Sequence, residues 1–153
     1  MNGNNEMKTK YKIDGDTRTL ILKYIRKYDE YFLWYQTERD RLIQPSREVV
    51  NMSPSKNKNP QDSTLKAVEA LQRLDKNHRV QVIKAIDNAK LNIGLDIPSD
   101  TEIVKLRNAV WLSCLNGREY NFETFAGLIS CERRQFYYYK NAFLNDIKYY
   151  LGL

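Results

Sequence analysis

The chain has 153 residues, enough for one compact domain or two small ones with a real core, and too few for a multidomain enzyme of the usual size. Lys and Arg total 25 against 19 for Asp and Glu, and the formal charge of +6 with an isoelectric point near 9.2 favours a polyanionic partner. A mean hydropathy of -0.67 and the scarcity of glycine (6) and proline (4) point to a soluble, all-α fold.

Met1 to Thr9 is polar and lacks the apolar stretch of a secretory signal, so residues 1–15 are read as a disordered arm and no export is expected. Asp16 to Thr19 offers helix caps before Leu20, Tyr24, Ile25, Tyr28, Phe32 and Tyr35, which predicts one helix from Thr17 to Leu42. Tyr24, Tyr28, Tyr31 and Tyr35 step by three or four residues, an aromatic stripe suited to a core or interface with its hydroxyls at the rim. Residues 44–62, rich in Pro, Ser, Asn and Lys, read as a mobile loop. Asp62 or Ser63 then caps a second long helix that runs to Ile93 through Leu65, Val68, Leu71, Leu74, Val82, Ile86 and Ala89. A helix of that length needs a partner, either the first helix folded back as a hairpin or the same segment of a second subunit. Its His78, the only histidine, has no companion groups at ligand spacing and reads as a surface imidazole.

Gly94 to Pro98 breaks that helix, and Ser99-Asp100-Thr101-Glu102 forms a capping-box sequence for a third, which carries Trp111 and stops at Asn116-Gly117. Neither Cys114 nor Cys131 belongs to a paired motif, which suits small buried residues in a reducing cytoplasm. No apolar run approaches the roughly 18 to 20 residues that cross a bilayer, so no membrane is implied.

The most informative stretch is Asn121 to Leu151. A helix-turn-helix needs apolar inner faces on two helices, a tight connection, a small residue where the helices cross, and a polar outer face on the second. Phe125 and Ile129 supply the first inner face with Ala126 as the small residue, Cys131 packs after the turn, and Phe136, Tyr139 and Phe143 recur inward on the second helix. Glu132, Arg133, Arg134, Tyr137, Tyr138 and Asn141 are left facing outward. Arginine can bridge O6 and N7 of guanine, tyrosine can touch a thymine methyl or a phosphate, and Glu132 can accept from a cytosine amine or favour the helix start. Lys140 and Lys148 suit phosphates, which position without specifying. Ser130 stands where a turn glycine is preferred and Glu132 where Ser or Thr caps better. From Ser99 onward seven Lys and Arg meet six Asp and Glu, so the expectation rests on pattern and not on local field.

The run FAGLISCERRQFYYYKNAFL resembles the C-terminal helix-turn-helix of the ArpU/RinA group of phage and prophage late transcriptional regulators, a module related to region four of sigma factors. Ala126, Ile129, Arg134, Phe136, Tyr137, Tyr139 and Lys140 agree with that group's pattern, whereas Ser130, Cys131, Glu132, Gln135 and Tyr138 depart from it. About twenty residues carry the specific content of the resemblance. It implies a small activator of late genes, acting with RNA polymerase at a promoter in the cytoplasm of a bacterial host.

No phosphate-binding glycine loop, HExxH, paired CxxC or nucleophile–histidine set occurs, so a non-enzyme without cofactor or metal is expected. The full expectation is an all-α chain with long helices over 16–98 serving oligomerisation or partner contact and a helix-turn-helix over 99–153 binding double-stranded DNA. The rivals are a helical protein-interaction adaptor, such as an antirepressor or a phage morphogenesis factor, and a single-strand binder that stacks bases on tyrosines.

Overall fold

A computed structural model describes residues 12–44 and 60–153. Most of the expected arm and loop, residues 1–11 and 45–59, lies outside the described residues. Seven helices and no strand are present among the described residues: α1 (Gly15–Arg26), α2 (Tyr28–Ile43), α3 (Pro60–Asp75), α4 (His78–Asn92), α5 (Asp100–Leu115), α6 (Phe122–Phe125) and α7 (Arg133–Leu151). The all-α expectation holds.

Each of the two long helices read from the sequence is interrupted. The first breaks at Lys27, whose amide is shared between the carbonyls of Lys23 and Tyr24, so Tyr24 stands on a different helix from Tyr28, Tyr31 and Tyr35. The second breaks at Lys76-Asn77, where the Asn77 side chain accepts from the Arg79 amide at 2.9 Å and restarts the helix at His78. Apolar spacing continues across both breaks, which is why periodicity alone does not reveal them.

The chain divides into two compact units, residues 28–83 and residues 1–27 with 84–153. The segment expected to form a separate C-terminal domain from residue 99 thus shares a unit with α1 and the end of α4. In that larger unit α1, α5 and α7 pack together. Its core is built from Ile21 and Ile25 of α1, Ile86 and Ala89 of α4, Leu106 and Val110 of α5, and Phe136, Phe143, Leu144 and Ile147 of α7. Trp111 meets Phe143 edge-on at 6.5 Å and carries the Lys90 ammonium over its ring at 4.3 Å.

Within the unit of residues 28–83, α2 packs on α3. Tyr35 donates to Asp75 at 3.0 Å, and the Arg79 guanidinium lies over the rings of Trp34 and Tyr31 at 4.9 and 5.6 Å. No residue of α2 is buried.

Asp14 caps α1 through the Thr17 amide, Ser99 caps α5 through the Glu102 amide at 3.4 Å, and Asn121 caps α6 through the Thr124 amide. The reciprocal half of the Ser99 capping box is not made, and the Glu102 carboxylate instead lies 3.6 Å from the Lys105 ammonium. After α4, Gly94 takes φ +75°, and a Cβ there would sit 3.4 Å from Ile97 and 3.6 Å from both Ile103 and Leu106. Gly94→Ala is therefore expected to lower stability by roughly 1–2 kcal/mol, the cost of a left-handed non-glycine residue. Phe136→Ala, which empties the centre of the core, is expected to cost roughly 3–5 kcal/mol. Urea unfolding followed by circular dichroism measures both.

Candidate nucleic-acid interface

The start of α7 is defined by Glu132, which takes extended backbone angles at the N-cap and whose amide donates to Gln135 Oε1 at 3.3 Å. Its carboxylate stands where the helix dipole favours negative charge. From there the buried residues Phe136, Lys140, Phe143, Leu144 and Ile147 mark the inner face. Arg134, Tyr138 and Asn141 follow at steps of four and three on the opposite side, with Tyr137 beside them.

The turn that precedes α7 is held by aromatic contacts. Phe136 packs against Phe122 at 5.8 Å and Phe125 at 6.4 Å, and Tyr120 stacks on Phe125 at 6.2 Å. Phe125 and Ile129 are buried, as expected of an inner face. Two expectations fail. Helix α6 is a single turn, so Ile129 lies in the connection and not on the helix. Ala126 is exposed, and the contact of α6 with α7 is made by the rings of Phe122 and Phe125 on Phe136, so Ala126 marks no close crossing. Ser130, near the Glu102 carboxyl, is the chief reason that this group titrates below the usual range.

Arg133 and Arg134 are exposed, Tyr137 and Tyr138 half-buried. Arg133 is oriented from two sides: its Nη1 pairs with Glu123 of α6, and its guanidinium carbon lies 5.7 Å from the centre of the Tyr137 ring. The ion pair is solvent-exposed and so contributes at most about 1 kcal/mol. Arg133 can leave it for a stronger acceptor.

Lys140 corrects the sequence reading. It is buried, its ammonium donates to the Ser113 carbonyl at 3.3 Å near the end of α5, and burial holds it below the ordinary lysine value. A cation held there closes a helix C-terminus and does not reach a phosphate. Asn141 is also engaged, accepting from Arg18 Nη1 of α1 at 3.0 Å. Arg18, 123 residues earlier in the chain, thereby joins the outer edge of α7, and no local pattern announces it. Lys148 stands further along the helix, close enough to Asp14 to help lower its carboxyl, after the larger effect of the Thr17 hydrogen bonds. Tyr139 donates to both oxygens of Asp96, at 3.0 and 2.9 Å.

Among the described residues no cluster of three or more His, Cys, Asp or Glu could hold a metal, and no helix is long and apolar enough to cross a membrane. No family model, curated protein or solved structure matches the chain.

Burial pushes the Cys114 thiol from 9 to about 11, and burial followed by the Asp96 hydrogen bond pushes the Tyr139 phenol from 10 to about 12. Both groups keep their protons longer when folded. Their contribution to stability is complete below the unfolded values and is lost as pH rises through the folded ones. Lys140, with its value lowered, works in the opposite sense. Unfolding free energy at pH 8 to 11 is therefore to be compared between the wild type and Cys114→Ala. The wild type should lose about 1.4 kcal/mol more per pH unit between 9 and 11. Parallel pH profiles would show that Cys114 ionises freely in the fold.

Proposed function

We propose that this protein is a sequence-specific binder of double-stranded DNA that regulates transcription, with the start of α7 entering the major groove. The observation that carries this reading is the exposed start of α7. A helix N-terminus presents Arg133 and Arg134 to solvent, with Tyr137 and Tyr138 one turn further along, while Phe136 and Phe143 anchor the face opposite Arg134 and Tyr138 in the core. Helices that read DNA present base-contacting residues near their N-termini in this way, and arginine forks discriminate guanine. Arg18 and Lys148, on the same side of the unit, are suited to flanking phosphates. The resemblance of this segment to late phage regulators extends the proposal to activation with RNA polymerase in a bacterial host.

Selection on random duplexes, followed by affinity measurements at two salt concentrations, tests the reading. The wild type should select a preferred site and lose affinity steeply as salt rises. Arg133→Ala and Arg134→Ala should each cost about 1–3 kcal/mol at that site with helical circular dichroism unchanged. Lys148→Ala should weaken all duplexes alike and flatten the salt slope by about one. Lys140→Met should leave the slope as it is, since that ammonium is buried. Absence of duplex binding at low salt would leave the protein-interaction adaptor as the better account.

A further inference from the structure

Across the turn from Arg133 stands a carboxylate to which the DNA-binding reading gives no role. Glu123 lies in the single turn of α6, where Asn121 accepts from the Thr124 amide and the rings of Phe122 and Phe125 pack on Phe136 of α7. Arg133 precedes that same buried ring by three residues, so both members of the pair are carried on backbone anchored to one core residue. Glu123 Oε1 accepts from Arg133 Nη1, and the two side chains are 57% and 65% exposed. The Tyr137 ring lies under the guanidinium, 5.7 Å from its central carbon.

A guanidinium donates only within its own plane, so a ring on its face takes no donor. With Nη1 held by Glu123, the edge formed by Nη2 and Nε is the one that can fork onto two acceptors. A duplex offers two kinds of acceptor to that edge. O6 and N7 of guanine are neutral, and a guanidinium already paired with a carboxylate faces them without like-charge repulsion. A phosphate is an anion, and on the same edge it would stand roughly 8 Å from the Glu123 carboxylate, where like charges in water repel enough to weaken binding about two- to threefold. Restraint by the ion pair and the ring also removes, before binding, some of the rotamer freedom that a long side chain otherwise loses at an interface.

We propose that Glu123 is a positioning residue that commits Arg133 to a guanine edge and withholds it from the phosphate backbone, so that Glu123 sets sequence preference. The inference rests on the DNA-binding reading. Because the pair is exposed, the bias it supplies is bounded at about fivefold. Affinities are measured by fluorescence anisotropy for the selected duplex and for the same duplex with one G·C pair changed to A·T, the pair at which Arg133→Ala loses its preference. Glu123→Gln keeps the shape of the side chain and removes its charge. Its preference for that pair should fall about two- to fivefold, with preference at the other pairs and helical circular dichroism unchanged. In the Arg133→Ala background Glu123→Gln should alter no preference, because loss of a negative charge by itself strengthens all duplexes alike. An unaltered preference in Glu123→Gln would overturn the inference and leave the DNA-binding reading standing, as would an Arg133→Ala variant that loses preference at no pair. A change that persists in the Arg133→Ala background would also overturn it, since Glu123 would then act without Arg133. A wild type that binds no duplex removes the reading and the inference together.

Discussion

Side-chain cations close the C-terminal ends of two helices in the larger unit, and the placement of its surface residues follows from that closure. The last carbonyls of a helix have no donor within it and carry the negative end of its dipole. Arg107 donates to the carbonyls of Leu91 and Ile93 at the end of α4, at 2.8 and 3.1 Å. Arg26 and Lys140 donate to Leu115 and Ser113 at the end of α5, each at 3.3 Å. Helix α5 needs them because its C-cap, Asn116, is extended and forms no left-handed cap, whereas α7 ends on Gly152 at φ +69° and closes with its own backbone. The three cations come from three helices, so the same bonds that satisfy carbonyls also tie α1, α4, α5 and α7 together.

This closure changes what the net charge of +6 means. Part of the basic excess is structural. Beyond the three capping cations, Arg79 lies over Trp34 and Tyr31, and Lys90 lies over Trp111. Arg133 is paired with Glu123. A DNA-binding reading of this chain therefore rests on where Arg133 and Arg134 stand, at an exposed helix start with Tyr137 and Tyr138 behind them, and on no surplus of charge. An exposed ion pair of that kind is cheap to break and keeps the guanidinium extended from the surface while it lasts.

Much of the larger unit was legible because its signals are local. Ser99 and Asn121 are caps at the residues where side-chain oxygens precede apolar spacing, and the alternation of Phe136 and Phe143 with Arg134, Tyr138 and Asn141 separates the two faces of α7. What escaped depends on neighbours distant in sequence. Lys140 looks like a surface lysine until α5 brings a carbonyl within its reach, and Arg18 joins α7 across 123 residues. A steep crossing of two full helices would demand a small residue at Ala126, and the single turn of α6 removes that demand. The breaks at Lys27 and Asn77 escaped because neither site carries Gly or Pro, and side-chain periodicity does not register a turn that preserves its phase.

The two units differ in what holds them. The larger one has fully buried Phe, Ile and Leu side chains from α1, α4, α5 and α7, so its helices are positioned by packing, and a residue on its surface keeps its place. The seam of residues 28–83 is different in kind. Tyr31, Trp34 and Tyr35 are half-buried, Tyr35 keeps its hydroxyl bonded to Asp75, and its phenol is raised first by burial and then by that bond. Rings with polar tips join α2 and α3 and orient them, while the buried apolar side chains of this unit, Val80, Val82 and Ile83, all belong to α4. Apolar side chains on both helices of the hairpin stay exposed, so its seam is set by ring contacts and the Tyr35–Asp75 bond and not by a buried apolar layer of α2.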